Sequence, residues 1–507
     1  MPRSVLPIAA GSYRLDSLPV SAQDCINLYP VVDDGPALAQ ETLDSTPGIE
    51  ETVTVWREWV VPEGEVDAVL TEVTPSGECR GSHLLGEIAY FVFGDKLYAL
   101  SESGGSMTQR KGPAISGTGP VTMAQNGKEL FICTKGGDGY VYDDVNDLQE
   151  VTDSDFTANG TPAAVVFLDG YFVFTTNTSG SAGNKVIISN LNQGLVFDAI
   201  DFGSVESSPD DVVAPVVFRN QLYVGGATTT EAFSNVGGLG FPFQRINVFF
   251  DQGFVSRYAA QVALNQLLFL GAGENQQLAV WASSGNDTQK ISTRAIDQLI
   301  QEELSFVSPQ LNLTTSWSYA QNGHYFVGWN LTNTSIVYDL TTGRWHERRS
   351  RVETNPGEFD IKPWRGAYPL AAYGEIWVGD TQGPRVGKLS SSEYEEFGFP
   401  IVREFTTMPF QNNMEPFFVP WMELTVESGM GSLTRDPVVV MSRSTDGGKT
   451  FKYQRQRPIG KQGEYDRRAI WRRNGRVDRF DCYRFTFSEP YKYRVAQLTA
   501  DIEAGDG

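Results

Sequence analysis

Short two-stranded units with the same punctuation recur through the middle of the chain, and they constrain its fold more than any other feature. Each reads as an alternating apolar run, a tight turn and a second run of aromatic or β-branched residues, the period-two pattern of half-buried strands. "EIAYFVFGDKLYAL" turns at Gly94-Asp95, "VTMAQNGKELFICT" at Asn126-Gly127 and "AAVVFLDGYFVFTT" at Asp169-Gly170. "VVFRNQLYVGG" turns at Asn220-Gln221, "VALNQLLFLGAG" at Asn265-Gln266, "YAQNGHYFVGW" at Asn322-Gly323 and "AAYGEIWVGD" at Tyr373-Gly374. Asn-Gly and Asp-Gly tolerate positive φ at both central positions of a two-residue hairpin, which gives these turns a mechanism. Successive turns lie roughly 30 to 60 residues apart, about the size of a four-stranded propeller blade. One blade exposes both faces, whereas blades arranged radially cover one another. The expectation is a mainly β fold with a β-propeller of six or seven blades over residues 81–400.

"YDLTTGRWHER", Tyr338 to Arg348, fits the same scheme: a strand ending in Asp, a Thr-Gly turn and Trp345 placed to pack between blades. One segment breaks it. "STRAIDQLIQEELSF", Ser292 to Phe306, puts Ile296, Leu299, Ile300 and Leu304 on one helical face with Ser292 or Thr293 as cap. This amphipathic helix either covers a propeller edge or docks a partner. Residues 1–80, a proline-punctuated arm with strands, are expected to form a separate N-terminal region, and residues 401–507 a smaller C-terminal β-domain.

The formal charge of −22 disfavours coating nucleic acid. The sign is uneven: Arg443 to Arg494 carry 15 Lys and Arg against 6 Asp and Glu, a net of +9 that leaves −31 for the rest. Cys25, Cys79, Cys133 and Cys482 are too widely spaced for a metal knuckle and too few for a disulfide scaffold, so buried thiols are expected. The N-terminus has no apolar core followed by a cleavage site, and no 18-residue apolar run occurs, so no membrane-spanning segment and no secretory passage are expected.

In "SRSTDGGKTFKYQRQ", Ser444, Asp446, Gly448, Thr450 and Phe451 match the S-x-D-x-G-x-T-[WF] hairpin of sialidases. The overlapping "GGKT" lacks the first glycine of a phosphate loop, because residue 443 is arginine, and strand residues follow where a helix should. A sialidase propeller would carry several such hairpins; this copy stands alone, outside the blades, and has a folding role in which side chains bond turn backbone. His83, His324 and His346 show no metal-ligand spacing, and no G-x-S-x-G elbow occurs. Asp33-Asp34, Asp143-Asp144 and Asp210-Asp211 could hold a cation but read more simply as solvated loop charges. No catalytic, cofactor or metal residue is expected, and no enzyme.

The most specific remaining feature is "EYDRRAIWRRNGRVDRFDCYRFTF". Arg467, Arg468, Arg472, Arg473, Arg476 and Arg479 are interleaved with Trp471 and Tyr483, a composition favoured at interfaces and phosphate contacts. A strand here would send Trp471 and Arg472 to opposite faces. It is either a solvated strand paired to the acidic body or a docking surface for an acidic partner, with Trp471 and these arginines as contacts.

The ends of the chain carry a resemblance. The T-D-G turn, "EYDRR", and Trp471 to Val477 matching W-[KR]-R-x-G-R-[IV] resemble the end of the packaged-DNA stabilisation proteins, the tail hub or nozzle, of short-tailed P22-like bacteriophages. "LPIAAGSY", "CINLYPVVDDG" and "STPGIE" are similar to that family's opening. The resemblance implies a non-enzymatic virion protein, a hexamer below the portal-adaptor ring, assembled in the host cytoplasm. It would extend the DNA channel, retain packaged DNA and bind a tail needle or plug and tailspikes or tail fibres, with double-stranded DNA passing through the lumen without sequence-specific binding. A second function class is a carbohydrate-binding or sialidase-like propeller acting as a receptor-binding tail protein through loops around "KPWRGAY", Lys362 to Tyr368.

Overall fold

Radial packing of four-stranded sheets organises the computed structural model, which describes residues 3–15, 22–32, 39–62, 67–176, 184–205, 210–238, 240–304 and 313–504. Six antiparallel meanders follow one another in sequence as blades 1 to 6, and a composite seventh sheet closes the ring. Blade 1 comprises Cys79–Leu85, Ile88–Phe93, Lys96–Leu100 and Ser106–Gln109; blade 2, Val121–Gln125, Leu130–Thr134, Gly139–Asp143 and Asp147–Glu150. Blade 3 comprises Pro162–Leu168, Tyr171–Thr176, Lys185–Asn190 and Gln193–Ser204; blade 4, Val212–Phe218, Gln221–Gly226, Thr230–Asn235 and Phe243–Phe250. Blade 5 comprises Ala260–Ala263, Gln266–Gly271, Ala279–Ser283 and Thr288–Lys290; blade 6, Ser316–Gln321, His324–Asn330, Ser335–Asp339 and Arg344–Asn355. Blade 7 takes Gly366–Ala372, Glu375–Asp380 and Val386–Ser390, and its fourth strand is the N-terminal Gly48–Glu51. The first strands contact in order from blade 1 to blade 4 and from blade 5 to blade 7, blade 7 meets blade 1 in the same way, and blades 4 and 5 share a core of Phe218, Tyr223, Leu267 and Phe269.

The turns behave as their chemistry requires, with four departures from expectation, the first in blade 2, where Gln125 pairs with Leu130 and Asn126-Gly127 opens a four-residue loop in which Gly127 alone has positive φ (90°). Both central residues have positive φ at Asp169-Gly170, Asn322-Gly323 and Tyr373-Gly374. In blades 4 and 5 the turn is Arg219-Asn220 and Leu264-Asn265, one residue earlier than expected. Asn takes the second position there, and Arg219 and Leu264 accept the left-handed conformation. Gly94-Asp95 joins the second and third strands of blade 1, whose first turn is Gly86-Glu87. Aromatics fill the gaps between blades: Phe131, Phe156, Phe172, Phe174 and Phe197 between blades 2 and 3, and Trp56, Phe93 and Tyr98 with Trp377 between blades 1 and 7. Gly104 (φ 72) lies against Trp377, where an added Cβ would stand 2.0 Å from the ring.

Helix α1, Arg294–Leu304, buries Ile296, Ile300 and Leu304 against blades 5 and 6 together with Trp329 and Trp345. Thr293 Oγ1 accepts from Ile296 N at 3.4 Å as the cap, and Trp345 Nε1 donates to Ile291 O at 3.2 Å. The helix therefore covers the propeller, as one of its two sequence readings had it; Phe306 lies outside the described residues. Close to the axis, Tyr258, at the entry to blade 5, donates its hydroxyl to Pro120 O (2.9 Å) at the entry to blade 2. Arg257 Nη1 donates to Ala163 O (2.9 Å) in blade 3. These bonds run across the ring, so the propeller axis is bridged.

Two further sheets form the C-terminal sandwich. One orders Ala469–Arg472, Phe417–Val426, Arg494–Ala504, Glu41–Ser45 and Leu28–Val32, with Ser4–Leu6 also on Arg494–Ala504. The other runs outward from blade 6 through Cys25–Ile26, Arg403–Thr406, Cys482–Phe487, Val438–Ser444 and Lys452–Pro458. Residues 1–80 therefore form no separate region among those described. Their strands complete the sandwich, close blade 7 at Gly48–Glu51 and extend blade 1 with Val55–Val60 and Val69–Glu72. Sequence periodicity could not show this, because the pairing partners lie hundreds of residues away. All four cysteines are buried and free, and burial pushes the Cys133 and Cys482 thiols up to about 12.

Candidate assembly surface

The basic segment spans the outer side of the sandwich. Along Ala469–Arg472 burial alternates, so Trp471 and Arg472 do take opposite faces. Trp471 faces inward, fully buried, with Nε1 donating to Arg455 O at 3.0 Å and its ring edge-on to Phe485 at 5.5 Å. That corrects its expected part in docking: it belongs to the sandwich core, because the side of the strand opposite the arginines is the side the second sheet covers. Tyr483 is buried as well. Among the arginines, Arg468 pairs with Glu423, Arg467 with Asp436 at 4.0 Å and Arg476 with Asp478 at 3.1 Å. Arg472, Arg473 and Arg479 are exposed, Arg479 lying 6.0 Å from the Phe480 ring.

Three arginines not singled out from sequence hold this surface in place. Arg443 Nε meets Asp481 at 2.5 Å and its Nη1 donates to Asn474 O at 2.9 Å. Arg455 Nη1 donates to Arg472 O at 2.9 Å, and Arg457 Nε to Ile470 O at 2.6 Å. Capping carbonyls with fixed guanidinium forks leaves the neighbouring arginine side chains directed to solvent. Alternation along Lys452–Pro458 puts Arg455 and Arg457 on one face, but the strand they reach is set by tertiary pairing. Tyr453 and Tyr465, 71% and 73% exposed, complete the face.

The hairpin Ser444 to Phe451 is a closed turn network. Ser444 Oγ donates to Asp446 Oδ1 (2.7 Å), which also accepts from Lys449 N (3.0 Å) and Thr450 N (2.9 Å); Gly448 N donates to Ser444 Oγ (2.9 Å). Burial pushes the Asp446 carboxyl up, but the bonds from Thr450, Ser444 and Lys449 outweigh it and hold it at about 2. Gly448 (φ 89) packs on Ala22, and Arg484 lies 3.8 Å over the Phe451 ring. Every polar group of the motif is thus committed to the turn.

Other candidates are also structural. Asp143 accepts from Val145 N and Asn146 N (both 2.7 Å), and Asp210 from Ala227 N (2.9 Å), Thr228 N (2.7 Å) and Thr229 N (2.9 Å); Asp33-Asp34 lies outside the described residues. His324 Nδ1 bonds Asp339 Oδ2 at 2.7 Å, and burial lowers His346 to about 3 and His83 to about 4. In the "KPWRGAY" loop, Trp364 is buried beneath Arg348 (4.0 Å) and Arg365 is bound to Asp380, so neither is open to a sugar. A residue missed from sequence is Arg80: 2% exposed, it donates to the carbonyls of Gly119, Gly94, Ile115 and Ser116, tying blade 1 to the entry of blade 2.

Comparisons with known proteins agree with this division. A family model described as Bacteriophage P22 Gp10, beta-propeller, matches residues 4–394, and one described as Bacteriophage P22 Gp10, beta-sandwich, matches residues 402–503. No curated protein matches the chain. Similar solved structures include the computationally designed Ika8 protein (14% identity, 72% of this chain and 100% of that one, TM-score 0.37). Virginiamycin B lyase from Staphylococcus aureus (10%, 62% and 94%, 0.39) and the WD40 propeller domain of Doa1 (10%, 62% and 94%, 0.36) are others. At these scores they carry no argument.

Proposed function

The chain belongs to the bacteriophage P22 Gp10 family of phage structural tail proteins, and from that premise we propose that it builds the tail nozzle. Copies assembled in the host cytoplasm form a ring, a hexamer, below the portal-adaptor of the virion. The ring extends the DNA channel, helps retain the packaged genome, and anchors a tail needle or plug and tailspikes or fibres. The observation that carries this reading is the match of both the propeller and the sandwich, together nearly the whole chain, to one phage family.

Two physical features support it. The propeller axis is bridged by Tyr258 and Arg257, so a path for duplex DNA has to run between copies. A net charge of −22 suits a lumen that must release DNA, since a basic wall would hold it through many phosphate contacts. The exposed arginines of the sandwich are the docking surface for an acidic partner. The test is electron microscopy of the purified protein mixed with DNA-filled, tail-less heads. A ring added at the portal vertex with reduced DNA leakage is expected; heads left bare and leaking at the same rate would refute the nozzle.

A further inference from the structure

Two surfaces of opposite charge lie at opposite ends of this molecule. From residue 136 to residue 218 the chain has thirteen Asp and Glu and a single basic residue, Lys185, whose ammonium is committed to Asn159 Oδ1 at 3.0 Å. This stretch builds the outer half of blade 2, all of blade 3 and the first strand of blade 4, and the outer strands of blades 2 and 3 form one continuous rim: Phe197 N donates to Asp153 Oδ2 (2.9 Å) and Asn159 Nδ2 to Ala199 O (2.6 Å). Asp144, Glu150 and Asp198 are exposed on it beside Val145 and Ile200, which are 87% and 73% exposed. An acidic rim with protruding aliphatic side chains, with Arg110 and Lys111 only at its blade 1 side, is a poor free surface but a good docking surface.

The basic edge of the sandwich is its complement: Arg472 and Arg473 are exposed at the strand end where Arg455 Nη1 caps Arg472 O at 2.9 Å, and Lys452 is exposed on the strand that carries Arg455. One chain cannot bring the two together. The sandwich is joined to blades 6 and 7, through Glu347↔Ile26 and the strand Gly48–Glu51, and blades 2 and 3 lie across the ring from these. The basic edge strand Lys452–Pro458 stands five strands out from blade 6, roughly 24 Å at about 4.8 Å per strand. We propose that the basic face of the sandwich on one copy docks against the acidic outer rim of blades 2 and 3 on the next. The two patches differ, so the contact is head-to-tail, the kind that generates a closed ring. It rests on the ring reading above and names the acidic partner as a second copy of this chain. Exposed charges are screened over about 10 Å at 0.1 M salt, so the contact weakens as salt rises.

Charge exchange tests it. Variant one carries Arg472→Glu and Arg473→Glu; variant two carries Glu150→Lys and Asp198→Lys; each is added full-length to DNA-filled, tail-less heads and copies per head are measured by particle mass and imaging. Alone, each variant presents like charge at every junction, and ring occupancy should fall at least about tenfold, the effect of roughly 1.4 kcal/mol per junction. An equimolar mixture restores opposite charge at every junction and should recover wild-type rings of alternating variants, a rescue that misfolded protein could not give. The proposal is overturned if either variant assembles normally on its own, or if the mixture stays unassembled. Wild-type protein that adds no ring would instead refute the nozzle reading itself.

Discussion

At the tip of the sandwich hairpin the Asp446 carboxylate takes hydrogen bonds from Ser444, Lys449 and Thr450, which hold its pKa near 2 against an ordinary value of 3.8. A depressed folded-state pKa contributes stability that is present above pH 4 and lost as pH falls through about 2. Asp446→Asn should therefore cost about 1 kcal/mol at neutral pH, the net worth of such bonds at an exposed turn. The difference from wild type should shrink between pH 4 and pH 2. Urea unfolding across that range measures it, and a pH-independent difference would mean the carboxylate is not the turn's acceptor. The role of these residues was legible in the sequence, because a turn is written in consecutive residues. The placement of Trp471 was only half legible: alternation separates it from Arg472 but does not say which face a second sheet covers. Arg80 left no mark, since its four acceptors are carbonyls brought near by the fold.

Among the elements, the N-terminal strands carry the most unusual burden. Gly48–Glu51 closes the propeller, and Glu41–Ser45, just before it, belongs to the sandwich. Ile49, 1% exposed among Trp317, Trp364, Val378 and Leu389, is the anchor of the closing strand. Ile49→Ala should cost about 2 to 5 kcal/mol. Because the segment is shared, the propeller and sandwich should unfold together, with tryptophan fluorescence and far-UV circular dichroism shifting by the same urea increment. Two separated transitions, only one of them moved, would show that the N-terminal segment does not couple the bodies. The blade hairpins could be read from Asn-Gly and Asp-Gly turns, which act locally. The destination of residues 1–80 could not, because closing a ring with its first strands is a contact of maximal sequence separation and imposes no period on the strand.

For the whole molecule, the bridged axis decides where DNA can go in the proposed nozzle. Tyr258 and Arg257 reach from the entry of blade 5 to blades 2 and 3, and each bond is made by a side chain whose removal leaves the acceptor carbonyl otherwise in place. Replacing both, Tyr258→Phe with Arg257→Ala, should lower propeller stability by about 1 to 3 kcal/mol, the range for losing buried hydrogen bonds, and so lower the thermal midpoint. If the genome ran through the propeller, unbridging the axis would also raise leakage from assembled particles. With the path between copies, leakage per assembled ring stays at the wild-type level while the midpoint falls. Measuring both on the same particles separates the cases: increased leakage from fully occupied rings would place DNA on the propeller axis and remove the reason to seek a lumen between subunits. In the proposed ring the charge layout points the other way, because an acidic rim and a basic face across the molecule from each other pair between copies and leave the channel to run between subunits.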